Sequence, residues 1–237
     1  MKIGVFSDLH YCSAENLGLG REPRRGFERF KKMLLLFAEN GVDACVCLGD
    51  LIDRAQGDTK AQVLQYLAEC VSQIRDFDLP FYLVPGNHDF VDLCREDFKN
   101  TGITLAPFVL EGDSVTLIAL DANYRASGGH FDIDGEKWND AHVPPEQLRL
   151  LDDALSSSSI PCVVLIHENL DPCVDFEHQA RNAHEVNEII SRHADKIRAV
   201  IQGHFHYGAD NTHFGIPYHT VKSICVFDED FFEIIEI

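Results

Sequence analysis

The stretch KIGVFSDLH, Lys2–His10, decides how the rest of the chain is read. Its apolar run Ile3–Phe6 reads as a buried strand that ends on a carboxylate and an imidazole two positions apart. In extended backbone, residues i and i+2 point to the same side. Asp8 and His10 can therefore converge on one object just past the strand, and a metal ion is the object those two groups share. A turn cap at Asp8 and a surface histidine at His10 account for the same letters, so the pattern gains meaning only by recurring.

It recurs along the chain. ACVCL runs into Gly49-Asp50-Leu51-Ile52-Asp53-Arg54, and PFYLV into Pro85-Gly86-Asn87-His88-Asp89. CVVLI ends at His167, and RAVIQ ends at Gly203-His204-Phe205-His206. Core packing gives no reason for Asp, Asn or His at five strand ends. Open α/β sheets, in contrast, hold ligands at the carboxyl ends of their strands.

Between the strands the period changes. Phe27, Phe30, Leu34 and Phe37 form a helical stripe, and Thr59–Phe77 reads as a helix. PPEQLRLLDDAL places proline just inside a helix start, and a further helix is expected around Asn182–His193. ITLAPFVL and SVTLIAL read as a hairpin about Glu111-Gly112-Asp113, and IPYHTV, SICVF and FFEII as carboxy-terminal strands. The alternation predicts one layered α/β (α+β) domain over residues 1–237, with both sheet faces covered. Asn123–Val143 breaks the pattern: it is polar, Gly-rich and aromatic, has no period, and reads as a functional loop.

Composition narrows the functions. A chain of 237 residues with 45% hydrophobic and 25% charged residues is that of an ordinary globular protein. The MKIGV start lacks the pattern of a secretory signal. No segment approaches the roughly 20 apolar residues of a membrane span, so a cytoplasmic location without membrane contact is expected. The eight cysteines contain no CxxC pair and read as reduced, mostly buried thiols, with Cys12 a bystander near His10. A net charge of −19, with 20 Lys and Arg against 39 acids, opposes binding to nucleic-acid phosphates. The basic cluster Arg21–Lys32 reads as the solvated face of a helix. Oligomeric state stays open.

Asp8, His10, Asp50, Asn87, His167, His204 and His206 supply seven oxygen and nitrogen donors and no thiolate. That set suits Mn, Fe, Zn or Co rather than a closed structural zinc site. It exceeds the needs of one ion and suits two ions that share a carboxylate, a standard device for in-line displacement at phosphorus. Single members have plainer readings: Asn87 and Asp89 as turn residues, Asp53 as a cap, and Gly49, Gly86 and Gly203 as turn glycines or as close-approach positions. His130, His142, His178, His184, His193, His213 and His219 stand in no motif and read as surface or packing residues, with His130 also a weak pocket candidate.

The series DLH, GDLID, GNHD, a lone strand-end His and GHFH, in that order from residue 8 to residue 206, resembles the calcineurin-like metallophosphoesterase superfamily. The resemblance implies a four-layer αββα sandwich, two mixed sheets flanked by helices, and a binuclear hydrolytic centre. Position by position it implies Asp8, His10 and His206 on one metal, Asp50 as the bridge, and Asn87, His167 and His204 on the other. It implies that His88 contacts the phosphoryl group and protonates the leaving oxygen, oriented by Asp53. Arg54 matches a phosphate-gripping arginine of the protein-phosphatase branch, although Ala55 stands where that branch has glycine. The implied nucleophile is a metal-bound hydroxide, with Mn, Fe or Zn as the metals.

This motif set is general to the small bacterial phosphodiesterase branch. DANYRASGGHFD, together with PPEQLRLLDDAL, is similar to the corresponding region of manganese-dependent ADP-ribose/CDP-alcohol diphosphatases, whose first motif more often ends in Gln where His10 stands here. The implied substrate is a small soluble phosphodiester or nucleotide-type pyrophosphate, with Gly128–Asp140 as a pocket wall and Tyr124, His130 and Trp138 as contacts. A phosphomonoesterase, protein phosphatases included, is an alternative that calls for extra pocket cations. A non-catalytic metal-binding scaffold is another, opposed by the complete donor set and by His88.

Overall fold

A computed structural model describes residues 1–131 and 135–236. The amino-terminal half contains β1 (Lys2–Phe6), α1 (Pro23–Glu39), β2 (Ala44–Cys47), α2 (Lys60–Arg75), β3 (Phe81–Leu83), α3 (Arg95–Lys99), β4 (Thr104–Leu105), β5 (Phe108–Glu111) and β6 (Thr116–Ala119). Then follow α4 (Pro145–Ser157), β7 (Cys162–Ile166), α5 (Ala183–Arg192), β8 (Ile197–Gln202), β9 (Ala209–His213), β10 (Ile216–Thr220) and β11 (Phe232–Glu236). One sheet has the order β11-β1-β2-β3-β4, and the other β5-β6-β7-β8-β10-β9. β1 to β4 run parallel, as do β6, β7, β8 and β10, so their carboxyl ends lie on one side of each sheet.

The strand period of two builds both interfaces of each sheet. Ile3 and Val5, Ala44 and Val46, Leu117 and Ala119, and Val163 and Leu165 meet in a core between the sheets. The alternate residues Phe6, Cys45, Cys47, Ile118, Val164 and Ile166 pack with the helices. The result is a four-layer αββα arrangement of two mixed sheets. α1 begins at Pro23 and buries the stripe Phe27, Phe30, Leu34 and Phe37. It presses so closely that a Cβ at Gly4 would lie 2.3 Å from the Phe37 ring. α2 opens with a reciprocal cap: Gln62 N donates to Thr59 Oγ1 (3.4 Å) and Thr59 N to Gln62 Oε1 (2.9 Å).

Several sequence expectations change. ITLAPFVL serves two sheets: Thr104–Leu105 pairs with β3, the chain crosses the cis Ala106–Pro107 peptide, and Phe108–Glu111 pairs with β6 as the expected hairpin. SICVF forms no strand. Ile224 N and Cys225 N donate to Ser7 O (3.2 Å) and Asp8 O (3.3 Å), so this apolar run is buried against the loop after β1. β9, the polar ADNTH, is an edge strand that carried no hydrophobic signal. Asn123–Val143 is not structureless, since bridges join Asn123 to His142 and Tyr124 to His130, and Gly135–Asp140 forms a 3-10 turn. Within the basic cluster, Arg29 is buried and donates to Ile224 O (3.1 Å) and Asp228 Oδ1 (2.9 Å), so it is not part of a solvated face. Among the described residues no helix is long and apolar enough to cross a membrane.

Candidate metal centre

The loops after β1 and β2 leave neighbouring parallel strands and are knitted by their backbones. Asp8 N donates to Gly49 O (3.0 Å) and His10 N to Asp50 O (2.8 Å). Asp8, His10 and Asp50 have φ of 57°, 48° and 50°, and His204, across the seam, has 66°. Left-handed backbone costs a residue with a Cβ roughly 1–2 kcal/mol, and such strain gathers at functional sites. Two glycines are decided by close approach. A Cβ at Gly86 would sit 2.2 Å from Asp50 Oδ1, and one at Gly203 would sit 2.1 Å from Ser7 Oγ.

Donor atoms of Asp8, His10, Asp50 and His206 lie within 4.8 Å of one another, as do those of Asp50, His167 and His204. The two groups share Asp50. His10 Nδ1 lies 3.0 Å from Asp53 Oδ2, and His167 Nδ1 donates to Leu48 O (2.6 Å). With Nδ1–H donated outward, each Nε2 lone pair faces inward, the arrangement of a metal-ligating histidine. His10 Nε2 lies 3.0 Å from His206 Nε2 and 3.5 Å from Asp50 Oδ2, and His167 Nε2 lies 3.5 Å from Asp50 Oδ2. Asp8 Oδ1 and His167 Nε2 are buried and make no hydrogen bond. Unbonded buried acceptors cost free energy unless something binds them. The inward lone pairs, the orphaned acceptors and the all-oxygen-and-nitrogen donor set fit two metal ions around a shared Asp50.

The charge balance agrees with this. Burial would raise the Asp8 carboxyl, but the facing His10 and His206 imidazoles hold it well below the usual carboxylate range. Burial would lower the His167 imidazole, but Asp50 pushes it up to about 10, so the place beside Nε2 favours a positive charge, a proton or a metal ion in its stead. Burial also opposes ionisation of Asp53, and His88 and His10 overcome it. The carboxylates thus draw positive charge into a largely buried site.

Asp53 Oδ2 lies 3.1 Å from His88 Nδ1 and 3.3 Å from Arg21 Nη1, in addition to its contact with His10. A cavity of about 250 Å³ opens here, lined by Leu17, Arg21, Asp53, Arg54, Asn87, His88, Val91 and Trp138. Arg54 reaches it while paired with Asp92 (3.2 Å). The Trp138 ring lies 5.5 Å from that of His204. Tyr124 and His130 are not among the lining residues. Their rings pack edge to face at 4.7 Å, and His130 Nε2 lies 3.2 Å from Asp121 Oδ2. Of the expected wall Gly128–Asp140, residues 132–134 lie outside the described residues.

Sequence reading missed several supporting groups. Asp89 staples two loops: its Oδ1 accepts from Leu51 N (2.9 Å) and Ile52 N (3.3 Å), and its Oδ2 from Gly86 N (2.9 Å). Burial and the nearby Asp50 carboxylate push its pKa up to about 7. Ser7 Oγ donates to Asp8 Oδ2. Arg21 stands in the cluster that reads as a solvated helix face, and His178, whose ring is 5.2 Å from that of His204, among the histidines that read as surface or packing residues. Only Ser7 and Asp89 carried a signal, through their places inside the motifs.

A family model described as calcineurin-like phosphoesterase matches residues 1–208. A probable cyclic nucleotide phosphodiesterase of Psychrobacter arcticus is 25% identical over 197 residues, covering 77% of this chain and 63% of that protein. The 3',5'-cyclic adenosine monophosphate phosphodiesterase CpdA of Haemophilus influenzae is 23% identical over 232 residues, covering 95% and 77%. The chain therefore spans less than two thirds of the length of the first of these relatives. A dimetal phosphatase from Danio rerio shares the fold with a TM-score of 0.84 at 18% identity, over 99% of this chain and 91% of that one. Donor groups from four strand ends that share one aspartate, and a family match over most of the chain, lead to one conclusion: this chain belongs to the calcineurin-like phosphoesterase family.

Proposed function

We propose that this chain hydrolyses a small soluble phosphodiester or nucleotide-type pyrophosphate with the help of two metal ions. The observation that carries the reading is the sharing of Asp50 by two buried donor groups. Relatives named as cyclic nucleotide phosphodiesterases support the diester class. Asp8, His10 and His206 would hold one ion, Asn87, His167 and His204 the other, and Asp50 both. Oxygen and nitrogen donors suit Mn, Fe or Zn. When bound, the ions supply polarisation of the phosphoryl oxygens and an acidified water as nucleophile.

The protein's own part is positioning and proton transfer. Asp53 faces His88 Nδ1, which leaves Nε2 to carry a proton to the departing oxygen. The Asp50 carboxylate accepts from His88 N (2.8 Å), so the acid is tied to the bridging residue through its backbone. Arg21 and Arg54 would contact non-reacting phosphate oxygens, and Trp138 would stack on a base. Each arginine is paired with a carboxylate, Asp53 or Asp92, which offsets the extra cation a monoester dianion needs. That balance favours the diester over the monoester. The net charge of −19 supports a partner other than nucleic acid, and a cytoplasmic location, with residues 1–237 as one metallophosphoesterase domain, completes the reading.

The test is turnover of bis-p-nitrophenyl phosphate by chelator-treated protein as Mn²⁺ is returned. Saturable activity at about two ions per chain is expected. Bound ions without turnover would overturn the diesterase reading in favour of a monoesterase or a scaffold.

A further inference from the structure

Beyond His167 the chain runs back over the helix-covered face of the second sheet. Asn169 Nδ2 donates to Gly203 O (2.7 Å) and Leu170 N to Gln202 Oε1 (2.7 Å). This path brings Asp171 and Cys173 against β9, where Asn211 and His213, two positions apart, share a face. Asp171 is fully buried. Its Oδ2 accepts from Asn211 Nδ2 (2.8 Å), and its Oδ1 accepts from Cys173 N (2.8 Å) and lies 2.8 Å from His213 Nε2. The Cys173 thiol is exposed, and the donor atoms of Asp171, Cys173 and His213 all lie within 4.8 Å of one another.

We propose that Asp171, Cys173 and His213 form a further metal site, separate from the Asp50 centre, that takes a thiophilic divalent cation of the zinc type. A carboxylate, an imidazole and a thiolate are the mixed donors zinc accepts, and three protein ligands leave a fourth tetrahedral position for water. The Asp50 centre offers only oxygen and nitrogen, so the two sites differ in ligand softness and select different metals. Asn211 orients the Asp171 carboxylate from behind, as a supporting hydrogen bond does in metal sites. A cation here would clamp the segment that follows His167 onto the edge strand that follows His206.

The test is titration of the full chain with Co²⁺. A thiolate-to-cobalt charge-transfer absorption reports sulfur ligation whatever occupies the Asp50 centre, because that centre has no thiolate. The absorption should saturate at about one Co²⁺ per chain and be displaced by Zn²⁺. It should vanish in Cys173→Ser, a change at an exposed position that leaves the core intact. In His213→Ala, affinity should fall by at least roughly tenfold. No absorption in the native chain, its survival in Cys173→Ser, or unchanged affinity in His213→Ala would each overturn the site.

Discussion

The two sheets bring unlike chemistry to the seam between them. Strands of the first sheet lead into Asp8, His10, Asp50 and Asn87, which include every oxygen donor of the expected set. Strands of the second lead into His167, His204 and His206, which are all imidazoles. The first side is knitted loop to loop by backbone hydrogen bonds and holds three of its donors on left-handed backbone. The second has one such residue, His204, and its His206 is partly open to solvent. The shared carboxylate thus sits on the side with more left-handed backbone, and the imidazoles of the second sheet approach from the other.

This asymmetry can be broken in order of severity. Asp50→Ala should empty both positions and reduce activity to background, read by metal analysis and diester turnover; retention of two ions would refute the shared role. His204→Ala, on the other sheet, should lose one ion and keep one, so equal damage from both variants would erase the contrast between the sheets. His88→Ala should lower kcat by roughly 10²–10⁴ while both ions stay bound. Ser7→Ala removes the hydroxyl behind Asp8 and should weaken metal affinity by roughly 10–100-fold, measured by competition with a chelator.

The smallest effect concerns the far edge, where His219 of the second sheet joins the sheets. Its Nε2 lies 3.3 Å from Glu233 of β11, and its Nδ1 faces Asp210 of β9. The Glu233 hydrogen bond, working against burial and aided by Asp210, raises its pKa above 6.5. The raised value means that the protonated clasp stabilises fully below the ordinary histidine pKa and fades as pH rises through the folded one. His219→Gln should lower Tm by about 1–3 °C near pH 6 and by less near pH 9. A larger loss at the higher pH would reverse the sign.

How much of this the sequence displayed follows from where each signal resides. The donors were readable because each stands where an apolar run stops, so periodicity and chemistry change at the same letter. Gly86 and Gly203 were ambiguous because nothing local reveals that a carboxylate oxygen or a serine hydroxyl occupies the space of a Cβ. SICVF misled because Ile224 and Cys225 are buried, as a strand's residues would be, while their amides serve Ser7 and Asp8. β9 stayed hidden because an edge strand can be polar, and His178 because only tertiary folding brings Phe176–His178 beside His204.

The backbone ties on each side of the centre have a further consequence. Asp8 N to Gly49 O, His10 N to Asp50 O and Gly203 N to His167 O hold the donors in register through the main chain itself. If the centre takes up ions as proposed, this main-chain register would spare the fold a rearrangement on loading. Its ions should then exchange with those in the surroundings without the chain unfolding, which repeated chelation and refilling of the folded protein would check.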